Sequence, residues 1–414
     1  MSESRKVGLL AEAEVQAKLE AACAGIGISG RKLLVIIPDN TRTAPVGLFF
    51  KLLHRLCEGE AARLDYLVAL GTHPLLGEKE LLKRVGITRE EKEGLYRGIR
   101  LFNHRWDQPG ALTRIGTIGE SEMLELTGGL LREPTEVSIN RLLLDYDQVL
   151  ILGPVFPHEI AGFSGAGKYL FPGVSGPELT DVTHWLGGLQ TNLATIGVRD
   201  TPVRRLIERA VALVPVPLLF LNIVVDAEGL KGLFIGSGRD AWEQAVALSA
   251  ELNIRYVERP YRQVLSIASE KYDDFWTGAK AFYKVEPIVA DGGELVVYAP
   301  HIRKLSITHD QVLGQMGFHV KDYFLAHLER YGHLRKTVLG YAALVKGAGT
   351  YRDGQEHPRI SLRLASAVTK QECNRLNIDY LDPREIRIQD WEGRQAEGRY
   401  VVRNAGEVLY RVRP

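Results

Sequence analysis

Apolar residues recur at helical spacing over residues 8–26 and stop at Gly25-Ile-Gly27, which predicts a helix closed by a glycine cap. The next apolar run, Lys32-Leu-Leu-Val-Ile-Ile-Pro-Asp39, is short and β-branched and reads as a buried strand, with a helix taking over through about Cys57. The alternation repeats. Arg63–Leu70 predicts a second strand, and the helix from about residue 78 is acidic at its start, which suits the helix dipole. Ile99–Asp107 reads as a third strand and loop, and the run Leu142–Leu152 leads into Gln148–Gly153, a buried strand. Asp200-Thr-Pro202 looks like a helix start with proline in the first turn. Leu218–Val225 and Leu230–Ile235 predict strands, and Ala241–Leu252 a helix.

Past Glu258-Arg-Pro260 the pattern restarts. Val264–Ala268 and Glu294–Tyr298 predict strands, with helices around Phe275–Tyr283, 321–331 and 335–346. The tail after about residue 385 reads as strand and turn with no legible chemistry. Strands alternating with helices, each strand followed by polar residues, point to an α/β protein whose ligands bind at the carboxyl edge of a parallel or mixed sheet. The expected division is two α/β domains, residues 1–258 and 259–414, since 414 residues exceed one ordinary core.

Composition narrows the class. Hydrophobic residues make up 45% and charged residues 25% of the chain, as in ordinary globular proteins. Lys+Arg 52 against Asp+Glu 51 gives no bulk charge for nucleic acid or an acidic membrane. Cys23, Cys57 and Cys373 are too few and scattered for a disulfide framework or a thiolate zinc site. The first residues resemble no secretory segment, no apolar run reaches membrane length, and the expected location is the cytoplasm.

The chemistry concentrates between His158 and His184, a stretch with two histidines, a lysine and a glycine-rich turn behind a buried strand. Gly162-Phe-Ser-Gly-Ala-Gly167-Lys168 fits a P-loop letter for letter, but Tyr169 stands where a magnesium-binding Ser or Thr belongs. Phe171-Pro-Gly173 also interrupts the helix that should follow. Asp39-Asn-Thr-Arg42 and Gly71-Thr-His73 lie at neighbouring strand ends, where anions bind well. His73, His158 and His184, with Arg42 and Lys168, suggest a converging site for acid–base work on an anionic substrate. Arg42 suits a carboxylate, and His104 is a fourth histidine candidate that Asp107 could orient.

These motifs, with Asn103-His104, the His158-x-x-Ala-Gly-Phe-Ser-Gly-x-x-Lys168-x-x-x-Pro-Gly core, Leu221-Asn222-Ile-Val-Val and Lys280, resemble the nickel-dependent lactate racemase family over most of residues 35–285. The resemblance implies a site in an interdomain cleft, with the second domain contributing substrate contacts. It implies a nickel-pincer nucleotide, a pyridinium mononucleotide with two sulfur substituents, tethered at Lys168 through a thioamide, with His184 as the protein's nickel ligand. His73 and His158 would be the two general acid/bases, and Arg42 and Lys280 would hold the substrate carboxylate. Asp39 and Thr41 would touch the cofactor's ribose or phosphate, and Ser164 and Gly165 would line its seat. The implied partners are a small 2-hydroxy acid, cofactor-biosynthesis enzymes and a second copy of the chain.

The sequence departs from the family at the pocket wall. Trp276-Thr277 stands where Tyr-Gln is usual, and Pro-Leu follows His73 where an arginine is common. Both changes point away from lactate toward another 2-hydroxy acid, with Trp276 and Thr277 as substrate contacts and His301 or Arg303 as partners for a second polar group. A sugar-acid 2-epimerase of the same chemistry and a catalytically silent nucleotide or anion binder are the competing readings.

Overall fold

The computed structural model describes residues 7–413. The chain forms two compact units. Among the described residues the first comprises 7–156, Phe163–Thr180 and Arg204–Leu252, and the second Pro157–Gly162, Asp181–Val203 and 253–413.

In the first unit, Lys32–Pro38 is the strand on which the sheet is built. Its residues from Leu33 onward are all buried, as expected of a strand covered on both faces. Arg63–Ala69 pairs with it in parallel on one side and Gln148–Pro154 in parallel on the other. The full order is Leu230–Gly236, Leu218–Val225, Gln148–Pro154, Lys32–Pro38, Arg63–Ala69 and Leu101–Asn103. Only Leu230–Gly236 runs antiparallel to its neighbour. The helices Glu12–Ile26 and Val46–Cys57 bury Val15, Leu19, Phe49, Phe50 and Leu53 against this sheet, giving the unit its core.

The apolar runs mark strands well, with corrections at their edges. Arg141–Asp145, ahead of the strand, is a 3-10 turn that the Asn140 side chain starts by accepting the Leu142 N–H. The third strand keeps only Leu101–Asn103. An antiparallel pair, Leu112–Ile118 with Thr135–Asn140, and the helix Glu120–Thr127 between them were not expected. The helix Pro177–Thr195, which carries His184, was also missed; its helical geometry breaks at Thr191 (φ 70°, ψ 161°).

The second unit holds a five-stranded sheet in the order Asp379–Leu381, Ser361–Ser366, Val289–Ala299, Tyr261–Ala268 and Arg399–Ala405. Every pairing in it is parallel. The helix expected around 275–283 is two single turns, Phe275–Gly278 and Lys280–Tyr283, because the Asp274 carboxylate caps the first by accepting the Thr277 N–H. The apolar helix Lys336–Lys346 is found at its expected place. Among the described residues, no helix is long and apolar enough to cross a membrane.

Candidate functional site

The strand order of the first unit reverses at the pair Lys32–Pro38 and Gln148–Pro154, so their carboxyl ends flank a topological switch point, where open α/β sheets bind ligands. Asp39 follows the first of these strands and is buried. Its Oδ1 accepts the Thr41 hydroxyl at 2.6 Å and the Thr41 N–H at 3.1 Å, a tight local turn. Its Oδ2 lies 2.5 Å from Nδ1 of His73, which stands beyond the end of the adjacent strand. Burial pushes the Asp39 carboxyl up, but the hydrogen bond and charge of His73, with Arg42 and Thr41, outweigh it and hold the group at about 2. The guanidinium of Arg42 lies 5.5 Å from the ring centre of Phe156, a residue past the end of the other flanking strand. Asp39, Thr41, Arg42 and His73 therefore form one cluster.

Ser164 and Gly165 open the turn that presents Lys168. Gly165 has φ +88° and ψ 174°, a conformation that an L side chain rarely adopts. The Ser164 hydroxyl donates to the Pro154 carbonyl at 2.7 Å and accepts the Phe156 N–H at 3.0 Å, so it ties the turn to the strand end. The Ser164 carbonyl accepts the Trp242 indole N–H at 2.8 Å, and the buried Arg204 donates to the Phe163 carbonyl. Asn222, on Leu218–Val225, accepts the Ala166 N–H through Oδ1 at 3.0 Å. Ala166–Tyr169 is a single 3-10 turn, so no helix grows from Lys168 as a P-loop would require.

His104 is structural. It is fully buried, its Nε2 lies 3.0 Å from the Ser175 carbonyl and its Nδ1 3.0 Å from the Asn140 amide. Burial drives it down to about 4, against the Ser175 carbonyl and the charge of Asp107, so it is neutral at ordinary pH. Asp107 pairs instead with Arg105 at 2.9 Å.

In the second unit, His158 and Glu159 are both buried, and a Glu159 oxygen lies 3.6 Å from His158 Nδ1. Glu159 also accepts the Tyr341 hydroxyl at 2.6 Å. Burial alone would raise the Glu159 carboxyl, but His158, Lys280 and Tyr341 hold it well below the usual range, so it is ionised. The Tyr341 ring stacks on His184 with centres 5.8 Å apart and on Trp276 with centres 5.1 Å apart. His309 lies against Trp276 at 4.9 Å. Thr277 gives its hydroxyl to Asp274 at 2.6 Å as part of the helix cap. The Lys280 ammonium lies 5.5 Å from the Tyr272 ring centre. Lys284, one turn on, is buried and driven down to about 8 mainly by that burial. His301 follows the end of Val289–Ala299, and its buried Nε2 has no hydrogen-bond partner among the described residues.

His158, His184, Trp276 and Lys280 thus share one unit with Glu159 and Tyr341, while Asp39, Thr41, Arg42, His73 and Lys168 share the other. Glu159 and Tyr341, which contact His158 and His184, are the neighbours of the predicted site residues that sequence reasoning missed. Glu159 was legible as a carboxylate beside His158. Tyr341 lies 182 residues from Glu159 and carries no motif.

No cluster of three or more His, Cys, Asp or Glu side chains that could hold a metal occurs among the described residues. A metal whose other donors come from a bound group needs only one imidazole from the chain, and His184 supplies one. Beside the Lys168 turn, the buried Nδ2 of Asn222 lacks a hydrogen-bond partner among the described residues, a donor suited to an acceptor on a group carried there. His184 in one unit and the Asn222 amide in the other are each chemically compatible with a cofactor that brings its own metal donors.

The lactate racemase N-terminal domain family matches residues 13–196. A lactate racemase from Thermoanaerobacterium thermosaccharolyticum is 24% identical over 279 residues, covering 65% of this chain and 60% of the relative. The matched part is therefore less than two thirds of that relative's length. A protein of Thermotoga maritima with a crystal structure is 31% identical, with a TM-score of 0.85 over 98% of this chain and 99% of that one. The lactate racemase apoprotein from T. thermosaccharolyticum superposes with a TM-score of 0.72 over 95% of this chain and 93% of that one, a likeness of fold at 18% identity. Residues 13–196 thus match the lactate racemase N-terminal domain family, on a chain whose fold is like that of a lactate racemase apoprotein.

Proposed function

We propose that this protein racemises or epimerises a 2-hydroxy acid other than lactate, using a nickel-pincer nucleotide held at Lys168 and His184. The observation that carries this reading is a carboxylate beside each of the two histidines at its heart, Asp39 at His73 and Glu159 at His158. When bound, the nucleotide supplies a hydride acceptor for the substrate carbon. The chain's own residues bind and move protons. Arg42 and Lys280 hold the substrate carboxylate, Arg42 through paired N–H donors. His73 and His158 exchange the hydroxyl proton, two bases being needed because the hydroxyl points to opposite sides in the two epimers. Asp39 fixes the His73 ring, and Tyr341 fixes the His184 ring by stacking. Trp276 forms a wall between Tyr341 and His309, which supports a substrate different from lactate.

The test is intact-mass analysis with nickel quantification, on protein co-expressed with a cofactor-making pathway. An adduct mapping to Lys168, and about one nickel per chain that is lost in His184→Ala, is the expected outcome. A panel of 2-hydroxy acids would then identify the substrate. Unmodified, nickel-free protein beside a control that loads would overturn the reading.

A further inference from the structure

The two histidines are held differently. The backbone N–H of Ile160 donates to Nδ1 of His158 at 3.1 Å. A backbone N–H can only donate, so Nδ1 must accept, and the single proton of the neutral ring then sits on Nε2. Glu159 does not change this, because its nearest oxygen, Oε2, lies 3.6 Å from Nδ1, beyond hydrogen-bond range. At His73 the order is reversed. Nδ1 lies 2.5 Å from Asp39 Oδ2, and an ionised carboxylate only accepts, so the His73 proton is on Nδ1 and Nε2 of the neutral ring carries the lone pair.

From this geometry we infer that the resting protein sets its two imidazoles in opposite tautomers, with His73 as a proton acceptor and His158 as a hydrogen-bond donor. The inference rests on the racemase reading for its consequence. In the resting state Nε2 of His73 takes the hydroxyl proton, breaking O–H and forming N–H, while His158 with its proton on Nε2 cannot take a proton there and can only donate. For His158 to take a proton at Nε2, it must first carry its own proton on Nδ1, and that breaks the bond from Ile160. The enzyme is therefore primed for the epimer whose hydroxyl meets His73, and the opposite epimer starts from a less populated state.

The tautomers are directly measurable. Long-range ¹H–¹⁵N correlation on [¹⁵N-His]-labelled protein at mildly alkaline pH reports which ring nitrogen of each neutral histidine is protonated, with His73→Gln and His158→Gln used for assignment. The expected spectrum shows His158 protonated at Nε2 and bare at Nδ1, and His73 protonated at Nδ1. A proton on Nδ1 of His158, alone or together with one on Nε2, would overturn the inference. So would a neutral His73 protonated at Nε2. Glu159→Gln should leave the His158 proton on Nε2, because Ile160 still donates to Nδ1, and a move to Nδ1 in that variant would also overturn the inference. The measurement needs neither cofactor nor turnover. Opposite tautomers in a protein that loads the cofactor yet turns over no 2-hydroxy acid would uphold the assignment and reject the proposed function.

Discussion

The Tyr341 hydroxyl donates to the buried Glu159 carboxylate at 2.6 Å, while the ring of the same tyrosine stacks on His184. One side chain therefore serves two roles that substitution can separate. Tyr341→Phe keeps the stack and removes a hydrogen bond to a buried, ionised group, a change worth about 1–3 kcal/mol. We expect urea unfolding to show a loss of that size with nickel content unchanged. Tyr341→Ala removes the ring as well and is expected to lower nickel content. If Tyr341→Phe unfolds at the same urea concentration as wild type, the bond to Glu159 does not contribute to stability.

Asp39 links the fold to pH. Its carboxyl is held at about 2 against an ordinary value of 3.8. A carboxyl whose pKa is lower in the folded state stabilises the protein fully above its unfolded value, and that contribution is lost as pH falls through the folded value. At about 1.36 kcal/mol per unit the gain is at most about 2 kcal/mol, since solvent screens the half-exposed His73. Asp39→Asn is accordingly expected to be less stable than wild type at pH 6, with the gap narrowing from about pH 4 down to pH 2. Denaturant titrations across that range check it, and a gap constant with pH would show that the His73 contact contributes nothing.

Much of this was legible in the sequence wherever local pattern decides structure. Leu218–Val225 is strand over the whole predicted run, and Lys32–Pro38 falls one residue short of its prediction, because apolar β-branched runs between turns have few other stable outcomes. Asp39, Arg42 and His73 were legible because a parallel sheet places its chemistry at strand ends. The helix bearing His184 was not, since proline, glycine and threonine dilute its apolar period and the second unit supplies its packing. His104 misled because its position resembles a catalytic one. Only its complete burial, with Asn140 and Ser175 as partners, shows that it serves the fold.

Trp276 has Tyr341 against it at 5.1 Å and His309 at 4.9 Å, so its indole is already packed by aromatic neighbours. An aromatic substrate would have to displace one of them to stack there. Trp276→Ala is expected to widen the range of 2-hydroxy acids converted by the loaded enzyme while cofactor loading by mass is retained. If removing the indole abolished conversion of every acid that wild type accepts, Trp276 would be a direct substrate contact and not a wall.

The turn carrying Lys168 depends on glycine at residue 165. Gly165 has φ +88°, and an added Cβ would also overlap Cγ2 of Val155. With ψ 174° this positive-φ conformation costs an L residue about 1–3 kcal/mol. Overpacking against a buried side chain adds about 1–3 kcal/mol. Gly129 is the comparison for positive φ without crowding: its φ is +85° and nothing lies within 4 Å of an added Cβ. Gly129→Ala should therefore lose only the backbone contribution, and Gly165→Ala the backbone contribution plus the overlap with Val155. Gly165→Ala should also load less cofactor, because relief of the overlap moves the turn that Ser164, Asn222 and Trp242 hold in place. Urea unfolding of both variants, with intact mass at Lys168, checks both expectations. Equal losses in the two variants would mean that the turn yields to the extra methyl and does not need glycine at residue 165 for its packing.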